Sequence, residues 1–180
     1  MTTIDSATRA WLDQEDRRTA DVIRRYGVEI VYVGVDACCA ACGTGVDGAR
    51  ADAAPSDELT SFAYTVGLFG IGHSEVLVFG LGPVDSCRLL NDVAERVREG
   101  GDLTEGQLLE FSHGRRRVLV ERVPNPGEIA FAANRFYQRP AQASVGLLQL
   151  SYDDDGGHFP GQPGYSLAGS LQPRPGTFRA

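Results

Sequence analysis

Three histidines, His73, His113 and His158, each stand next to a glycine in a stretch that reads as a turn. Imidazole is the side chain best suited to proton transfer near neutral pH, and two of the three have a carboxylate close by. His73 is followed by Glu75, and His158 follows Asp155 in DDDGGH. Tyr64 lies in the apolar run leading into the His73 turn, so His73, Glu75, Tyr64, Asp155 and His158 are the candidate catalytic groups. The competing interpretation makes His73 and Glu75 the end of a hairpin and Asp153 to Asp155 a solvated turn.

A second chemistry resides in Cys38, Cys39 and Cys42, spaced C-C-x-x-C. Thiolates at that spacing can share one metal ion, zinc or another transition metal, or act as a dithiol redox pair. A four-ligand site would have to recruit Cys87 or a histidine, and small residues of an ordinary loop explain the same letters. The three histidines could also make an open metal site, although no H-E-x-x-H or H-x-H spacing supports one.

Other chemistries are excluded. All 17 basic residues are arginine, which rules out pyridoxal phosphate attached to lysine, lysine Schiff bases and the phosphate-loop lysine. No other cofactor is specified. A net charge of −7 argues against nucleic acid or anionic membrane as a partner, leaving a small molecule or a partner protein. GLFGIG leads into a strand, so it is no dinucleotide fingerprint. GYSLAG around Ser166 follows no strand and has no later histidine to complete a nucleophile elbow. Arg115 to Arg117 read as protection of a sheet edge. The charged amino terminus lacks a signal-peptide core, and a cytoplasmic location is expected.

The elements that must position these groups follow from periodicity. Residues 6–26 predict an amphipathic helix with Trp11, Leu12, Val22, Ile23 and Tyr26 on its buried stripe, capped by Asp5 or Ser6 and closed by Gly27. Strands are expected at 28–35, 61–68, 75–81, 116–123 and 144–152, with 102–114 ambiguous between strand and connector. Pro83 starts a second helix whose Leu89, Leu90, Val93 and Val97 share one face. Asn125, Pro126 and Glu128 predict a third, running to about Gln138. The expected fold is α+β: a single domain, a mixed sheet of about five strands and about three helices. It divides into an N-terminal helix (1–27), a core (28–157) and an irregular Pro/Gly-rich tail (158–180).

The strings FAYTVGL, GHSE and LLNDVAERVREGG carry a resemblance to a bacterial family. So does the carboxy-terminal order Asp154, Gly157, Phe159, Pro160, then Gly164 and Tyr165, then Gln172 and Pro173. The chain resembles the domain-of-unknown-function family numbered four-two-six-two, an uncharacterised group that implies no activity. It departs from the pattern at Gly161 and Gln162, and in having its cysteines after the first strand.

The functional expectation is a small enzyme or small-molecule-binding protein with its pocket at the Gly-His hairpin turn. The alternatives are a metal-binding or thiol-redox protein using Cys38, Cys39 and Cys42, and a non-catalytic interaction module.

Overall fold

A computed structural model describes residues 5–34, 60–111 and 117–180. Cys38, Cys39, Cys42 and His113 lie outside the described residues. Helix α1 (Ser6–Tyr26) starts where the Asp5 carboxylate accepts from the backbone N–H of Ala7 and Thr8, and ends at Gly27, whose φ of 90° is the left-handed closing conformation. Strands β1 (Glu29–Val33), β2 (Phe62–Val66) and β3 (Glu75–Phe79) follow, then α2 (Pro83–Arg98), β4 (Leu108–Glu110), β5 (Arg117–Arg122), α3 (Phe131–Phe136) and β6 (Leu147–Tyr152).

The six strands form one mixed sheet in the order β1-β2-β3-β6-β5-β4. Every neighbouring pair is antiparallel except β3 and β6, which run parallel with Glu75 opposite Leu147. The fold is therefore α+β, with one strand more than expected: β4 emerges from the ambiguous stretch after α2 because Leu109 is buried between two outward-facing neighbours.

Alternation sorts the side chains onto two covered faces. Ala63, Val76, Val78, Val118, Val120, Leu148, Leu150 and Tyr152 pack with Leu90, Val93, Ala94 and Val97 of α2. On the other side Phe62, Tyr64, Leu77, Phe79 and Leu147 meet Ile129, Ala130 and Ala133, with Ile23 of α1 and Phe178 of the carboxy terminus packed alongside. With helices or chain on both faces, β2, β3 and β6 are buried along their whole length.

Two helix expectations are corrected. Trp11 and Tyr26 are not on a buried stripe: they are 57 % and 62 % exposed, and Thr19 is the buried residue of α1. The solvated face instead supplies Asp16, which pairs with Arg135 of α3 at 2.8 Å. The third helix does not run unbroken from Asn125. A single 3-10 turn at Pro126–Glu128 gives way at Ile129 (φ −131°), whose side chain is buried, and α3 restarts at Phe131. Asn125 makes no cap; its amide donates to Glu128 and to the Phe178 carbonyl.

No helix or strand follows Tyr152, yet the final segment is tied down across the sheet. The Phe178 ring stands edge-on to Phe62 and Phe79 at 5.3 and 4.9 Å between centroids. Gln172 accepts from the Tyr152 N–H and donates to its carbonyl. That side chain takes the place of a neighbouring strand where β6 has run beyond the end of β3.

Candidate functional site

The two glycine-histidine turns sit at opposite ends of the sheet. His73 precedes β3 at its start, whereas Asp154 to His158 follow β6 at its finish, and the two strands are parallel. Tyr152 is five residues beyond the Leu147 that faces Glu75, so the turns stand roughly 16 Å or more apart along the strands at about 3.3 Å per residue. The expectation of one pocket holding His73, Glu75, Tyr64, Asp155 and His158 together is corrected by this topology.

At the first turn the polar groups hold the chain together. β2 and β3 pair as far as Tyr64 opposite Leu77, then splay, and the Glu75 side chain fills the opening. Its carboxylate is fully buried and accepts from the Thr65 hydroxyl (2.6 Å) and from the N–H groups of Gly67 (2.9 Å), Leu68 (3.3 Å) and Phe69 (3.0 Å). The Thr65 oxygen in turn accepts from Val76 N–H at 2.9 Å. Burial pushes the Glu75 carboxyl above its usual range, against the opposing pull of those four donors.

His73 has both ring nitrogens engaged. Nδ1 lies 2.6 Å from the Ser74 carbonyl, and Nε2 accepts from Leu103 N–H at 3.3 Å. These contacts set the proton on Nδ1 and stitch the turn to the connection after α2. The Tyr64 hydroxyl accepts from Ala132 N–H in the first turn of α3 at 3.0 Å, and burial pushes its pKa above the usual phenol range. Glu75, His73 and Tyr64 thus each serve a different backbone segment, and none is bonded to another.

The second turn is built differently. Of the three consecutive aspartates, Asp155 is exposed, and Asp153 and Asp154 are the buried pair. Asp153 accepts from Arg117 twice, from its N–H at 2.9 Å and its Nε at 2.8 Å. The same guanidinium donates to the Gly157 carbonyl and lies 5.4 Å from the centre of the Phe159 ring.

Asp154 is the hub of the loop. One carboxylate oxygen accepts from the N–H of Gly156 (2.9 Å) and His158 (2.8 Å), and the other from the N–H (2.7 Å) and hydroxyl (2.8 Å) of Ser166. The His158 amide above all, with Ser166 and Gly156, holds this carboxyl well below the usual carboxylate range. A fixed negative charge therefore stands 3.5 Å from His158 Nδ1, a buried nitrogen with no hydrogen-bond partner among the described residues.

The imidazole itself sits between two glycines. A β-carbon at Gly156 would lie 2.9 Å from Nδ1, and one at Gly164 would lie 3.1 Å from Cε1 and Nε2. Gly164 also has a φ of 91°, which disfavours any larger residue there. With 43 % of the His158 side chain exposed, the slot clamps the ring and leaves its outer edge to solvent. A carboxylate behind Nδ1 favours the tautomer protonated there, leaving Nε2 as the basic nitrogen. Because the Ser166 hydroxyl donates directly to Asp154, it has no histidine behind it and is not an activated nucleophile.

Sequence reasoning named His158 but chose Asp155 over Asp154, and it passed over Arg117 as edge protection. No local signal separates the two: Asp154 and Asp155 each stand two residues before a glycine and could each accept the N–H groups of the turn, so the folded loop makes the choice. Among the described residues no group of three or more His, Cys, Asp or Glu side chains could hold a metal ion, and no helix is long and apolar enough to cross a membrane. Cys87, half-buried in α2, has no disulfide partner among the described residues.

The model of a domain of unknown function (DUF4262) matches residues 22–166, and the chain belongs to that family. The match includes both glycine-histidine turns and the Asp154–Ser166 loop, and it ends before Gln172 and Pro173. No curated protein and no solved structure matches the chain.

Proposed function

We propose that this member of the DUF4262 family is a small-molecule-binding protein with general acid–base capacity, and that its working site is the second glycine-histidine turn, not the hairpin turn. The observation that carries the reading is the Asp154–His158 pair. A buried carboxylate with four donors lies behind one imidazole nitrogen, and the clamped ring presents its other edge to solvent. The glycine slot holds the ring, the carboxylate 3.5 Å behind Nδ1 sets the charge there without bonding it, and the outer nitrogen moves the proton. Arg117, anchored by Asp153 and Gly157 beside Phe159, supplies a cation within the same loop system for a substrate that develops negative charge. His73 offers no comparable nitrogen, since both of its own are bonded within the fold.

Two measurements on the full chain test this. Long-range 1H–15N spectra should show His158 as the Nδ1-protonated tautomer at pH 8, and Asp154→Asn should shift that balance. Incubation with a mixture of cellular metabolites, followed by mass spectrometry, should reveal a compound retained or converted by the wild type and not by His158→Gln. A compound handled equally by both proteins, or ligand-induced shifts that avoid residues 154–166, would place the activity elsewhere.

A further inference from the structure

A cleft of about 330 Å³ opens on the outer edge of β5, lined by Glu105, Glu121, Arg122, Arg174 and Pro175 among others. Its origin lies in the sheet. β4 pairs with β5 only from Arg117 to Leu119, and two further bonds, Gly106 N–H to the Val120 carbonyl and Val120 N–H to the Gln107 carbonyl, extend the contact to Val120. The next backbone groups of β5 that point outward belong to Arg122, where β4 has already turned away. The volume is at the small end of the range for ligand sites.

The charges in the cleft fall into two sets. Glu121 and Arg174 satisfy each other: Glu121 accepts from the Ser151 hydroxyl and lies 3.0 Å from Arg174 Nη2, while Arg174 also donates to the Pro160 carbonyl. They form a fixed, neutral wall. Glu105 and Arg122 are both exposed, and neither has an ion-pair partner among the described residues. They come from different segments, carry opposite charge, border the same cleft and do not reach each other.

We propose that this cleft binds a small zwitterion, a molecule carrying an ammonium group and a carboxylate, as a free α-amino acid does. The carboxylate meets Arg122, the ammonium meets Glu105, and the Glu121–Arg174 pair shapes the space between them. A guanidinium is the geometric match for a carboxylate, and an exposed pair of this kind gains most when one ligand bridges both charges at once. The site is independent of the His158 turn.

The test is titration of the full chain by calorimetry and by 1H–15N NMR with each of the 20 common α-amino acids, a probe number set by chemistry and roughly spanning the side-chain sizes a cleft of this class admits. At least one should bind saturably at one site per chain. Its N-acetyl and C-amide derivatives should each bind about tenfold more weakly, as should Arg122→Gln and Glu105→Gln, a loss on the order of one well-made charge contact. Both substitutions are at exposed positions, so unchanged thermal melting will show that the fold is intact. Absence of saturable binding by every free amino acid overturns the proposal. So does equal affinity for the acetylated form, which would mean a simple anion site, and so does undiminished binding by both variants.

Discussion

Replacing Glu75 separates a structural carboxylate from a catalytic one. Glu75→Ala would orphan the N–H groups of Gly67, Leu68 and Phe69 and remove the partner of the Thr65 hydroxyl. A buried donor left without an acceptor costs about 1–3 kcal/mol. Phe69 is half-buried, so water can reach part of the opened space and the three costs will not add in full. A loss of about 4 kcal/mol is expected, a large share of the roughly 5–15 kcal/mol that holds a domain together. With a urea slope of about 2 kcal/mol per molar, the midpoint should fall by about 2 M. Glu75→Gln keeps one acceptor oxygen for two of the donors but turns an amide NH2 toward the others, and should cost about 1–3 kcal/mol. pH supplies an independent check. Burial raises the folded-state pKa of Glu75, so its contribution is complete below the unfolded value of about 4.3 and is lost as pH climbs through the folded value. The advantage of wild type over Glu75→Gln should therefore be largest at low pH and shrink on going to neutral. A urea midpoint for Glu75→Ala within about 0.3 M of wild type, less than the slope gives for even one orphaned donor, would refute the reasoning.

Three further outcomes are expected. Phe178→Ala removes the ring that stands edge-on to Phe62 and Phe79, and because Phe178 is half-buried the loss should be about 2 kcal/mol in urea unfolding. Gln172→Ala leaves both backbone groups of Tyr152 and the Tyr165 hydroxyl without this partner and should cost about 3 kcal/mol, with faster amide exchange at Tyr152. Asp154→Asn should abolish a component of acid unfolding: a carboxyl whose folded pKa is depressed stabilises above its unfolded value of about 3.9 and is lost as pH falls through the folded one. The wild type should lose more stability than the variant between pH 4 and pH 2, read by circular dichroism.

Elements built on strong local periodicity were legible in the letters. Val118 and Val120 alternate with Leu119, and Leu90, Val93 and Val97 recur at helical spacing, because burial on one face selects apolar residues at the period of the backbone. The third helix was misread because Ile129 satisfies a long-range demand, entry into the core beneath β2 and β3, which overrides a favourable helix start. Trp11 was misplaced for the converse reason: a bulky apolar residue on a helical stripe is buried only where something lies opposite. At the candidate site, the choice of His158 followed from residue type, but the choice between Asp154 and Asp155 depends on which carboxylate the loop folds around. Its Ser166 partner lies 12 residues further on, and no spacing rule joins the two.

The topology decides between the two histidine turns more firmly than their composition does. Had β6 run antiparallel to β3, its exit would have lain beside His73, and all the candidate carboxylates and imidazoles would have shared one end of the sheet. The parallel pairing sends the chain out at the far end instead, and the final 28 residues return along the sheet, Leu167 packing with the α2 side and Phe178 with the opposite one. That return path brings Ser166 to Asp154, Gln172 to Tyr152, Arg174 to Glu121 and Phe178 to Phe79. The Pro- and Gly-rich segment, with no helix or strand of its own, thus completes both the Asp154–His158 turn and the cleft at Arg122. A chain truncated after Tyr165 will lose the Ser166 contacts to Asp154 and the wall of the cleft together with the Gln172 and Phe178 ties to the sheet, so its urea midpoint will fall along with ligand binding at both places.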